Sequence, residues 1–171
     1  EVVASCEEKE IGMIVVGCDE ESSRKAIELV SSFPKEKELW CTVGQHPTDT
    51  GKHFDYATYF DLARSSKKVV AIGECGLDYY RIENQESGIK EDQKDLFFQH
   101  LNLAHETGLP LIIHCRDAHD DMIEALVHRF GIMGSGSVSR SESVPDPIFH
   151  GVMHCFTGTV RDAQSYLDLG F

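Results

Sequence analysis

Five short apolar runs, none interrupted by a charge until its last residue, limit the folds open to this chain: Gly12–Gly17 (GMIVVG), Leu39–Gly44 (LWCTVG), Val69–Glu74 (VVAIGE), Pro110–Cys115 (PLIIHC) and Gly151–Phe156 (GVMHCF). They are continuous rather than alternating, as expected for strands buried on both faces of a parallel sheet. The segments between them carry a helical period. Ala26, Ile27, Val30 and Phe33 share one face, as do Tyr56, Tyr59, Phe60 and Ala63. The stripe returns in Phe97, Leu101 and Ala104, in Met122, Ile123, Leu126, Val127 and Phe130, and in Val160, Ala163 and Leu167. Asp19, followed by Glu20 and Glu21, reads as a helix start, and Thr159 with Asp162 as a capping box. Gly108-Leu109-Pro110 and Gly170 read as helix stops.

Strand and helix therefore alternate five times, the pattern of an α/β fold with a parallel sheet, either doubly wound or closed into a barrel. No GxGxxG or GxxxxGK[ST] follows the first strand, which weakens nucleotide-binding readings. Polar, metal-friendly residues at the strand ends favour a barrel with its site at the C-terminal mouth. Residues 1–171 are expected to form one partial domain. Two insertions break the rhythm: the Glu-rich stretch Arg81–Asp92, and Gly131–Pro147, rich in Gly, Ser and Pro and expected to be a flexible loop.

The net charge of −13 argues against a bare basic groove that grips nucleic acid by counterion release. Bound cations could still supply positive charge for a phosphate substrate. Six widely spaced cysteines without a CxxC pair read as free thiols in a reducing compartment, taken to be the cytoplasm. No apolar run is long enough to span a membrane, and EVVASCEEKE reads as part of a helix rather than a secretory signal.

The strand ends carry the chemistry. The third run leads into Glu74-Cys75-Gly76-Leu77-Asp78, the fourth into His114-Cys115-Arg116-Asp117, the fifth into His154-Cys155-Phe156. A carboxylate and two imidazoles at one barrel mouth suit a divalent ion, and a carboxylate can bridge two ions. We therefore expect Glu74, His114 and His154 to be metal ligands, although Glu74 could instead pair with Arg116. His46 also follows a strand and could contact substrate, or simply form the turn before Pro47. Arg116 could orient a phosphoryl oxygen or pair with Asp78 or Glu74. Asp78 could hold a ligand histidine in place. His53, His100, His105, His119 and His128 read as surface residues of helices or helix starts.

The motifs VGQHP (Val43–Pro47), GECGLDYY (Gly73–Tyr80), HCRDA (His114–Ala118) and HCFTGT (His154–Thr159) resemble, in order, those of the TatD family of metal-dependent deoxyribonucleases. That resemblance implies a TIM barrel of the amidohydrolase-like metal hydrolases. It also implies that Glu74, His114 and His154 bind divalent cations (Mg2+, Mn2+ or Zn2+, two per intact site), with DNA as substrate and His46 near the scissile phosphate. No side chain is singled out as a catalytic acid or base; the expected attacking group is a water activated by the cations. No membrane and no obligate protein partner are inferred. Other expectations consistent with the same residues are an ester or amide hydrolase, such as an aminoacyl-tRNA deacylase, and a non-catalytic vestigial barrel.

The family pattern also opens with an H-x-H strand and has a late T-D-x-P strand end, and neither spacing occurs here. A TIM barrel needs about 250 residues and eight strands. The expectation is thus a fragment that holds half of a two-cation centre and turns over little by itself.

Overall fold

The computed structural model describes residues 2–34, 38–80, 82, 87–129 and 150–171. The expected loop 131–147 and Phe130 lie outside them. The chain runs α1 (Val2–Glu7), β1 (Met13–Val15), α2 (Glu20–Ser31), β2 (Leu39–Val43), a 3-10 turn (Pro47–Asp49), α3 (Tyr56–Arg64), β3 (Val69–Asp78), α4 (Ser87–Thr107), β4 (Leu111–Arg116), α5 (His119–Arg129), β5 (Gly151–His154) and α6 (Val160–Leu169).

All five strands are parallel and lie in the order β1-β2-β3-β4-β5. A doubly wound sheet reverses its strand order at a switch point, and this one never does. Strands added one after another in a single direction are instead a segment of a barrel wall. The core lies between one face of this sheet and the helices, where Val43, Ile72, Leu77 and Ile113 meet Val30, Leu101, Met122 and Leu126. The outer strands do alternate: Ile14 in β1 and Val152 in β5 are 48% and 52% exposed. Burial on both faces therefore holds for the central strands and fails at the edges.

The helix ends follow local chemistry. Asp19 caps α2 by accepting from the Ser22 N–H at 2.8 Å, and the Ser22 hydroxyl closes a capping box. Thr159 and Asp162 form the corresponding box at α6. Gly108 (φ 68°) follows α4, and Gly170 (φ 97°) ends α6 in the left-handed conformation. Two expectations need correction. α4 begins at Ser87, so the second half of the Arg81–Asp92 insertion is helical. In α6 the buried residue is Tyr166 (2% exposed), whereas Val160 and Leu167 are 89% and 63% exposed. The face of α6 turned toward α5 is the one that carries Tyr166, which reaches His119 and Cys115.

β3 departs most from the sequence reading. It continues four residues beyond Glu74, and its register with β4 slips: Ile72 pairs with Leu111 and Cys75 with Ile113, which leaves one extra residue on β3. Ile72, Cys75 and Leu77 are all fully buried on the helix side. Strict alternation from Ile72 would have sent Glu74 there too. The bulge reverses the alternation and places Glu74 on the opposite face with His114.

Glycine makes this bulge feasible. Gly73 and Gly76 sit at φ 150° and 137°, and a Cβ on Gly76 would stand 2.0 Å from the His114 carbonyl oxygen.

Candidate metal centre

The sheet's free face gathers the strand-end side chains. The β4–β5 register pairs His114 with His154, and the bulge brings Glu74 alongside. Backbone hydrogen bonds fasten these ends together. The Glu74 N–H donates to the Gly17 carbonyl at 2.8 Å, and the His46 N–H to the Cys18 carbonyl at 2.9 Å. The Thr42 hydroxyl donates to the Gly73 carbonyl at 2.5 Å, which holds β2 against the bulge.

His114 lies at the centre. Its Nδ1 is 2.9 Å from Glu74 Oε1 and its Nε2 2.9 Å from Asp78 Oδ2. Burial pushes the His114 pKa down, but the hydrogen bonds to both carboxylates outweigh it and hold the ring above the ordinary histidine value. The same bond from His114 holds the Glu74 carboxyl below its usual range against burial, helped by the charges of His46, His114 and His154. His46 is shifted the other way, first by burial and then by repulsion from His114, whose ring centroid is 4.5 Å away. Adjacent imidazoles of which only one accepts a proton readily, beside an ionised carboxylate, make a donor set suited to a dication.

Ligand atoms of His46, Glu74 and His114 all lie within 4.8 Å of one another. His154 Nε2 comes to 3.9 Å from Glu74 Oε1, the same separation as His46 Nε2, but its side chain is 46% exposed and it is not part of that close group. His46, read from sequence as a substrate contact, is thus placed among the metal-type donors. Its Nδ1 accepts the Thr48 N–H at 3.3 Å and lies 2.8 Å from the Thr48 hydroxyl, which turns Nε2 toward Glu74. Asp78, expected to hold a ligand histidine in place, has Oδ2 2.9 Å from His114 Nε2, on the side of the ring away from Glu74. Arg116 pairs with neither Asp78 nor Glu74 among the described residues; its guanidinium carbon is 3.4 Å from the centroid of the Tyr80 ring.

The family model described as TatD related DNase matches residues 1–171. The chain belongs to the TatD family. A relative from Klebsiella pneumoniae (strain 342), named 3'-5' ssDNA/RNA exonuclease TatD, is 35% identical over 162 residues, which are 93% of this chain and 52% of that protein. One from Bacillus subtilis (strain 168), named uncharacterized metal-dependent hydrolase YabD, is 32% identical over 166 residues, 96% of this chain and 56% of its own. Among solved structures, the TatD family hydrolase of Entamoeba histolytica aligns with a TM-score of 0.74 at 27% identity, covering 98% of this chain and 52% of that one. The TatD homologue YJJV of Escherichia coli k12 gives 0.72 at 26% identity, covering 92% and 53%. The chain spans about half the length of the curated relatives it matches. The five βα units are thus an incomplete TIM barrel of the metal-dependent TatD hydrolases.

Two supports of this TatD site escaped the sequence reading. Gln93 on α4, 2% exposed, accepts from the Asp78 N–H at 2.8 Å and donates to the Asp78 carbonyl at 3.0 Å, fixing the backbone that carries the carboxylate. His100, read as a surface residue, is fully buried. Its Nε2 accepts from the Gln45 N–H at 3.0 Å and its Nδ1 donates to the Leu96 carbonyl at 2.8 Å, which anchors the residue before His46. The signal was available, because positions 93 and 100 fall on the Phe97 stripe at helical spacing. His119 is also not a surface residue: it is half-buried, with Nδ1 3.0 Å from the Tyr166 hydroxyl.

Proposed function

We propose that the protein carrying this chain is a metal-dependent phosphodiesterase acting on DNA, with residues 1–171 as one partial barrel domain. The observation that carries this reading is the surroundings of one oxygen: Glu74 Oε1 lies 2.9 Å from His114 Nδ1 and 3.9 Å from the Nε2 atoms of His46 and His154. An ionised carboxylate among three imidazoles has the donors to hold a divalent cation (Mg2+, Mn2+ or Zn2+) and, with a second free oxygen, to bridge two. We assign Glu74, His114 and His154 as ligands and place His46 at the same centre. When bound, the cations supply Lewis-acid charge that neutralises phosphate oxygens and lowers the pKa of water.

The chain's own residues prepare the site for this. Asp78 accepts the His114 Nε2–H and so sets the ring's direction, and Gln93 keeps Asp78 in place. Arg116 presents an exposed guanidinium beside the centre, suited to a phosphate oxygen that the acidic surface would otherwise repel. The K. pneumoniae relative is named for single-stranded DNA and RNA, which favours single strands as substrate here. Six free cysteines suit a reducing compartment, for which we propose the cytoplasm.

The test is a full-length assay of single-stranded DNA, RNA and an aminoacyl-ester substrate, with Mn2+ and with EDTA. Cleavage of DNA only when metal is present is expected. Hydrolysis confined to the aminoacyl ester, or DNA cleavage indifferent to EDTA, would overturn the reading.

A further inference from the structure

Beside the donor cluster lies a cleft of about 450 Å3, lined among others by Pro47, Thr48, Tyr80, Ile82, Ile89 and Arg116. Asp78 lines it too, so the cleft and the donor cluster share a wall. Two tyrosines follow Asp78, and the structure sends them in different directions. Tyr79 turns toward α5, where its hydroxyl donates to Asp121 Oδ2 at 2.8 Å. Tyr80 faces the cleft and is 49% exposed, with Arg116 laid over its ring.

A single side chain links the Tyr80 backbone to the metal centre. Asp78 Oδ2 receives His114 Nε2, while Asp78 Oδ1 accepts the Tyr80 N–H at 3.0 Å. Arg116 stands two residues after His114 on the same strand, hence on the same face. Asp78 thereby connects His114 to the Tyr80 backbone, and Arg116 connects the Tyr80 ring to the strand that carries His114. A flat π-surface backed by a cation, in a cleft also lined by apolar Ile82 and Ile89 and hydroxyl-bearing Thr48, matches the way single-stranded nucleic acid is gripped. Its bases stack on aromatic rings or on guanidinium planes.

We propose that Tyr80 and Arg116 form a stacking platform for the nucleobase next to the phosphate held at the metal centre. This rests on the phosphodiester reading above and sharpens it: the substrate is recognised by an unpaired base, which a duplex would keep buried in its stack.

The test is fluorescence anisotropy on the full chain with Mn2+, using a labelled five-nucleotide single strand of DNA and the same backbone bearing only abasic sites. The wild type should bind the base-bearing strand about 5- to 100-fold more tightly than the abasic one. Tyr80→Ala should bring the two affinities together by weakening only the base-bearing strand, and Tyr80→Phe should keep the preference. Mn2+ affinity should be the same in all three proteins. Equal, Mn2+-dependent binding of both strands by the wild type would overturn the platform and leave the phosphodiester reading standing. Absence of any Mn2+-dependent binding would remove both. The wild-type comparison decides the matter even if Tyr80→Ala does not fold.

Discussion

The Asp78 side chain receives the ring of His114 and ties the Tyr80 backbone, and Gln93 fixes the Asp78 backbone. Asparagine at this position keeps the size but removes the charge that favours an Nε2–H tautomer of His114. We expect Asp78→Asn to lower divalent-metal affinity by about 10- to 100-fold with little change in stability, measurable by calorimetric titration and urea denaturation. His100 gives a second expectation. Burial pushes its pKa down to about 4, against an ordinary value of 6.5. Between those values the unfolded chain takes up a proton and the folded chain does not. Its stabilising contribution is therefore complete above about pH 6.5 and is lost as the pH falls toward 4, by roughly 3 kcal/mol in all. Urea unfolding across that range should show the loss, and His100→Leu should flatten it while lowering stability at neutral pH, because the Gln45 N–H loses its acceptor. The candidate metal-binding residues are legible because they sit at the ends of apolar runs. His100 and Gln93 were misjudged or passed over because polar residue types on a core stripe were read by type and not by position.

At the level of elements, the helix caps were legible residue by residue, since Asp19, Thr159 and Gly170 act on their own immediate neighbours. The bulge in β3 was not. It exists only in the register between β3 and β4, which is set by pairing across 40 residues of chain rather than by anything local to Gly73-Glu74. Yet it decides the site, because without it Glu74 would face the core helices. Gly76→Ala tests this. The added methyl would collide with the His114 carbonyl. Overpacking together with an unfavourable φ should cost about 2–4 kcal/mol. We expect a lower urea midpoint and loss of metal binding even at temperatures where the variant stays folded. A variant with normal stability and normal metal affinity would show that the close approach of β3 to β4 at Gly76 does not hold Glu74 in place.

Across the whole molecule, the alternation of runs and stripes made the parallel sheet legible. The choice of a barrel wall over a doubly wound sheet came from the polar strand ends and is fixed by the uninterrupted strand order. The charge of −13 sets the terms on which such a wall can meet nucleic acid. With 29 acidic against 16 basic side chains, binding should depend on divalent metal rather than on released counterions. Affinity for a single strand should therefore vanish in EDTA and show only a shallow dependence on monovalent salt when Mn2+ is present.

All of this depends on Glu74 and His114 holding a cation. Calorimetric titration of Mn2+ into the wild-type chain and into Glu74→Gln and His114→Ala, with circular dichroism to confirm that each is folded, tests it most directly. We expect saturable binding by the wild type and at least about a tenfold loss of affinity in each variant. Equal Mn2+ affinity in all three folded proteins would contradict the assignment of this cluster as the metal centre.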